Sequence, residues 1–101
     1  MNNKFELANA IIAVYQLDGF VSEGVSFRRN KCYMAFYDKS DRTYFVNISF
    51  TDNGVEVEQS VRERGQIEGY RLSKFMSLDY AVPGTLINDA HAYRSWKDNH
   101  E

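Results

Sequence analysis

Between residues 32 and 61 the chain passes through three runs rich in strand formers, each separated from the next by turn-forming residues. A period of two places successive side chains on opposite faces of a strand, so such runs fold as a sheet or not at all. Residues 32 to 37 read Cys-Tyr-Met-Ala-Phe-Tyr. In residues 43 to 50, Tyr44, Val46, Ile48 and Phe50 fall on one side and Asn47 and Ser49 on the other. In residues 55 to 61, Val55, Val57 and Val61 stand opposite Glu56, Glu58 and Ser60. The pattern predicts an antiparallel meander.

The turns predict its register. Asn53-Gly54 suits a two-residue hairpin loop of type I′, which needs positive φ at both central residues. That loop pairs Asp52 with Val55, Phe50 with Val57, Ile48 with Gln59 and Val46 with Val61. A loop at residues 38 to 42 pairs Tyr37 with Thr43, Phe36 with Tyr44, Met34 with Val46 and Cys32 with Ile48. Both registers gather the apolar residues on one face, Gln59 excepted. A slip of one residue would expose the whole set.

Helices flank the meander. Phe5, Ala8, Ile12 and Tyr15 recur at helical steps, widened by Leu7, Ile11 and Val14. Asn3 and Glu6 suit a capping box, and Asp18-Gly19 a helix end, which predicts a helix over 3–17. Val25-Ser26-Phe27 adds or extends a strand. Residues 62 to 80 fit either a fourth strand at Ile67 to Leu72 or a short helix starting at Leu72, Phe75 and Met76. Pro83-Gly84 then breaks the chain. Leu86, Ala90, Tyr93 and Trp96 predict a last helix over 85–97, with a frayed tail at Asp98-Asn99-His100-Glu101. The expected fold is a single α+β domain over 1–101: an N-terminal helix, a three- to four-stranded antiparallel meander and a C-terminal helix.

Composition narrows the function classes. A chain of 101 residues with 44% hydrophobic and 26% charged residues has the makings of one packed core. The formal charge of −2 gives no basic excess of the kind a dedicated nucleic-acid binder carries. Cys32 is the only cysteine, which excludes an intrachain disulfide and a four-cysteine zinc site. The N-terminal stretch is too polar for a signal peptide and too short for a membrane span, so a cytoplasmic protein is expected, with no membrane partner.

The raw material for catalysis is thin. His91 and His100 are the only histidines, and Asp89 and His91 point to different faces of a helix. His91 is expected to be a surface residue without a partner, and Cys32 an inert core thiol. No phosphate loop, nucleophile elbow or metal motif is present. The chain is therefore expected not to be an enzyme and to need no cofactor, and no residue motif carries a family likeness.

The second face of the meander is where function is expected. It carries Lys31, Tyr33, Ala35 and Tyr37, then Thr43, Phe45, Asn47 and Ser49, then Glu56, Glu58, Ser60 and Arg62, with Phe45 opposite Ala35 and Arg62. With seven Tyr, seven Phe and one Trp, the chain has more aromatic side chains than one core face uses. Tyr33, Tyr37 and Phe45, with Arg62, resemble the anchor-and-rim composition of a protein interface, unless a further layer covers them. Arg28, Arg29 and Lys31 form the densest basic cluster; such a run is usually a solvated loop or an edge strand guarded by charge, and the three are further candidates for gripping a carboxylate or phosphate. The leading expectation is a small binding protein that docks a protein partner as inhibitor, adaptor or chaperone. A nucleic-acid-associated protein is the alternative, with bases stacking on the aromatics and Lys31 and Arg62 near phosphates. A homodimer is also expected, because self-association would protect the second face and the sheet edges.

Overall fold

In the computed structural model, residues 4–63, 71–77 and 81–99 are described, the backbone alone for 71–77 and Ala81. The chain folds as helix, meander and helix: α1 (Lys4–Leu17), β1 (Val21–Arg28), β2 (Lys31–Tyr37), β3 (Thr43–Phe50), β4 (Gly54–Arg62), β5 (Arg71–Ser77) and α2 (Ala81–Asn99). This is the expected α+β architecture. The antiparallel sheet has the order β1-β2-β3-β4-β5, so every strand pairs with its neighbour in sequence. The segment around Val25 forms a full edge strand. Residues 71–77 are strand and not the start of a helix, and residues 64–70 lie outside the described part.

The β2–β3 register is as the alternation predicts, with Cys32 opposite Ile48, Met34 opposite Val46 and Phe36 opposite Tyr44. The β3–β4 register is not. Phe50 lies opposite Val55 rather than Val57, Ile48 opposite Val57, Val46 opposite Gln59 and Tyr44 opposite Val61. The loop is Asp52-Asn53, one residue earlier than the Asn-Gly signal implies. Thr51 explains the difference. Its backbone N–H donates to the Gly54 carbonyl at 2.8 Å, and its hydroxyl accepts from the Gly54 N–H at 3.0 Å. A side chain thus replaces a backbone acceptor, and neither Asn53 nor Gly54 is among the positive-φ residues. Moving the turn by one residue shifts each pairing by two, so every side chain keeps its face.

Both helices lie on one face of the sheet. That face contributes Cys32, Met34, Phe36, Tyr44, Val46, Ile48, Val55, Val57 and Val61 to the core, all buried. From α1 come Leu7, Ala8, Ile11 and Tyr15. Phe5, expected in this stripe, is 54% exposed and packs instead on Phe27 at the sheet edge, with ring centroids 4.7 Å apart. α1 ends where Gly19 takes φ +90°, its N–H donating to Gln16 O at 3.1 Å while Phe20 N–H donates to Tyr15 O at 3.0 Å. Asn3, the expected cap, lies outside the described residues.

α2 starts at Ala81, earlier than expected, because Pro83 falls in its first turn. There the missing N–H has no intrahelical partner to lose, so Pro83-Gly84 opens the helix instead of breaking the chain. Val82, Leu86, Ile87, Ala90 and Tyr93 complete the core.

Gln59, the polar exception on the apolar face, is fully buried. The Tyr15 hydroxyl donates to its Oε1 at 2.6 Å, and its Nε2 donates to the Leu86 carbonyl at 3.1 Å. One amide therefore joins α1, β4 and α2. Tyr15→Phe leaves the buried Gln59 Oε1 unmatched and should cost about 1–3 kcal/mol, whereas Gln59→Leu should cost less, because the Tyr15 hydroxyl can still donate to the Leu86 carbonyl 3.3 Å away. The double variant removes both partners, so its loss in urea unfolding should be smaller than the sum of the two single losses. Additive losses would show that the bond does not join the two residues.

Candidate functional site

The face away from the helices is assembled by register. In rows from β1 to β4 it carries Arg28, Lys31, Ser49 and Glu56, then Ser26, Tyr33, Asn47 and Glu58. Next come Gly24, Ala35, Phe45 and Ser60, and last Val21, Tyr37, Thr43 and Arg62. Tyr33 and Phe45 are half-buried by their neighbours in the sheet, and Tyr37 is exposed. Among the described residues no element is layered over them.

Arg62 stands opposite Thr43, not Phe45, which faces Ser60; the two-residue change in β3–β4 pairing moves it. Its guanidinium nevertheless reaches diagonally to lie 5.2 Å from the Phe45 ring centroid, a cation–π contact. Asn47 Nδ2 lies 3.4 Å from Glu58 Oε1 on the same face. A shallow depression of about 400 Å³ opens where the side chains are smallest, over Gly24 and Ala35, between Tyr33, Phe45 and Asn47. β1 bulges between Ser22 and Gly24, and Gly24 takes φ +145° there.

The basic cluster sits at one corner of this face. Arg28 and Lys31 are a cross-strand pair closing the β1–β2 hairpin, and Arg29-Asn30 is its two-residue turn. Arg29 adopts φ +51°, a left-handed conformation that costs a non-glycine residue about 1–2 kcal/mol. The turn is braced: Lys4 Nζ donates to Arg29 O at 2.8 Å, Phe50 N–H to Asn30 O at 2.7 Å, and Asn30 Nδ2 to Phe50 O at 3.1 Å. Arg28, Arg29, Asn30 and Lys31 are exposed and, with Tyr33, line a second depression of about 610 Å³. The structure thus brings Tyr33 together with all three basic residues, and Phe45 with Arg62. Tyr37 stands apart, at the far end of β2.

A second polar assembly has no signature in the sequence. At the β2–β3 loop, Asp38 and Arg42 are buried. Asp38 Oδ1 accepts from Ser40 N–H at 2.8 Å, and its Oδ2 accepts from the Tyr44 hydroxyl at 3.0 Å, with Arg94 Nε at 3.8 Å. Arg42 Nε donates to Glu63 at 3.2 Å, and its guanidinium reaches Asp98 on α2 at 3.6 Å. The Tyr93 hydroxyl donates to Glu63 as well. Local spacing does not foretell this cluster, because α2 supplies Tyr93, Arg94 and Asp98 across a long stretch of chain. Each guanidinium faces at least one carboxylate, and the cluster clamps loop to helix. Asp98, expected in a frayed tail, is held by it.

His91 also has a partner, contrary to expectation. Its Nε2 lies 2.8 Å from Asp18 Oδ2, linking α2 to the end of α1 at an exposed position. Among the described residues no three His, Cys, Asp or Glu side chains converge as a metal set. No helix among them is long and apolar enough to cross a membrane. Comparison with protein-family models finds no match, and neither curated proteins nor solved structures give one.

Burial, with little opposition from Lys4, pushes the Cys32 thiol from 9.0 up to about 11, so it resists ionisation. Burial, and next the charge of Asp89, raises Tyr15. Burial and then Asp38 raise Tyr44. All three groups hold their protons more tightly folded than unfolded. Well below pH 9 both states are protonated and these groups add no pH dependence. Above it the unfolded chain ionises first, so stability should fall as pH climbs through the range 9.0 to about 11. Denaturation midpoints across this range check the sign, and Tyr44→Phe should flatten the upper part of the decline.

Proposed function

We propose that this chain is a non-catalytic binding protein that docks another macromolecule, foremost a protein, on the open face of its sheet. The observation that carries this reading is the sidedness of the fold. The whole described core lies on the helix face, while Tyr33, Tyr37 and Phe45 stand on the other with no described layer above them. Anchoring aromatics within a polar rim are what an interface needs. Inhibitor, adaptor or chaperone action would each use such a face. A single buried thiol suits a cytoplasmic setting.

The test is affinity capture from the native host's lysate, with and without nuclease, by the wild-type chain and by Tyr33→Ala and Phe45→Ala. The expected result is a stoichiometric, nuclease-resistant protein catch that weakens by about tenfold or more in each variant. Thermal melts should show both variants folded, because half-buried rings lose less than the roughly 3–5 kcal/mol of a fully buried phenylalanine. Unfolding of both variants would place these rings in the core and sink the proposal.

The groove shared by Arg28, Arg29, Lys31 and Tyr33 favours a second reading, nucleic-acid association, which predicts a nuclease-sensitive catch. Glu56 and Glu58 on the same face oppose it. A second copy of the chain is one protein that could protect the face and the β1 edge. Homodimerisation predicts a solution mass about twice 11.7 kDa by light scattering; 11.7 kDa at all concentrations would refute it.

A further inference from the structure

We infer that the occupant of the open face is an acidic segment of another protein, with an apolar side chain over Gly24 and Ala35 and carboxylates against Arg28, Arg29 and Lys31. The inference rests on the docking role proposed above and adds the chemistry of the partner.

Two depressions share one wall. The apolar one has small residues at its floor and Tyr33 and Phe45 at its sides; the basic one ends on the same Tyr33. From Lys31 to Ala35 is four residues of β2, or about 13 Å of extended chain. A segment running along the strand therefore meets both when its apolar residue lies about four residues from its acidic ones.

The corner is costly as it stands. Arg28 and Lys31 face each other as like charges, which destabilises a strand pair. Arg29 is held left-handed by three braces. Among the described residues no carboxylate pairs with any of the three. Local rules broken together at one place point to a strained or a functional site, and an anionic ligand would relieve the repulsion. A short carboxylate segment running along β2 fits better than a long phosphate backbone, which would also meet Glu23 beside the apolar depression and Glu56 and Glu58 on β4, two strands across the same face. A short peptide can present its charge to the basic corner alone.

The probe is a short synthetic peptide with Asp and Glu at one end and Leu-Phe about four residues away, titrated into the labelled chain and followed by amide chemical shifts. Shifts should concentrate at Gly24, Lys31, Tyr33 and Ala35, and added salt should weaken binding. Replacing the acids by Asn and Gln, or the chain's Arg28 and Lys31 by Gln, should weaken it by about tenfold or more. Arg29→Gly should weaken binding while raising the melting temperature, since glycine accepts the left-handed turn. That opposite movement separates a lost contact from a damaged fold. Equal binding of the neutral peptide, tighter binding of a single-stranded oligonucleotide, shifts away from this face, or no shifts overturns the inference. If lysate capture fails with Phe45→Ala but survives Arg28→Gln/Lys31→Gln, the docking role stands and the acidic partner falls.

Discussion

Tyr15 sits where three layers of contact meet, and the arrangement of the fold depends on how it is held. Its ring stacks on Phe36 of β2, with centroids 4.1 Å apart and planes 14° from parallel, and meets Phe20 edge-on at 5.1 Å. Its hydroxyl is bonded to Gln59 of β4, which in turn bonds the Leu86 carbonyl of α2. The ring supplies apolar area and the hydroxyl supplies direction. Unlike a leucine, it therefore favours one seating of α1 over its alternatives. α2 is tied to the same point, so both helices are committed to one face of the sheet.

The other face is open as a consequence. The register residues there need no helix to complete a core, since the core is already filled from the opposite side. At the far end of the sheet the matched charges of Asp38, Arg42, Glu63 and Arg94 fasten α2 to the β2–β3 loop. For Arg42, burial works against the charged form, but its bond to Glu63 more than offsets that and holds it charged. Removing one member of such a pair would leave its buried partner's charge unmatched, so the pairs tie the seating of α2 to the loop.

Which of these features were legible in the sequence follows from their range. The faces of β2, β3 and β4 came through because alternation is local and redundant over many residues. They do not depend on the turn, since Thr51 moves the loop by one position and the pairing by two. The turn itself is not legible, because a hydroxyl bonding a backbone amide competes with the Asn-Gly preference, and composition does not reveal which wins. Gln59 stood out only as a blemish in the pattern; its partners on α1 and α2 lie 44 and 27 residues away. Asp38 with Arg94 and Asp18 with His91 were out of reach for the same reason. Pro-Gly reads equally as a break or as a helix start, and the burial of Val82 goes with the second. Of the candidate site, Tyr33, Tyr37 and Phe45 fall on the predicted face, and the meeting of Tyr33 with the basic turn needed the hairpin geometry.

The half-burial of Tyr33 and Phe45 has a further physical meaning. Flanking strands already shield part of each ring and limit its rotamers, so less side-chain entropy remains to be lost on contact. The uncovered part of each ring is still wetted, and covering it would release about 25 cal/mol for each Å² of apolar surface. Arg62, resting on the Phe45 ring, keeps its charge in solvent while its contact holds the ring in place. A rigid sheet thus presents aromatic area that is ordered in advance but not yet dry. The core lies on the other side of the same strands, so substitutions can change this surface without passing through the packing that specifies the fold.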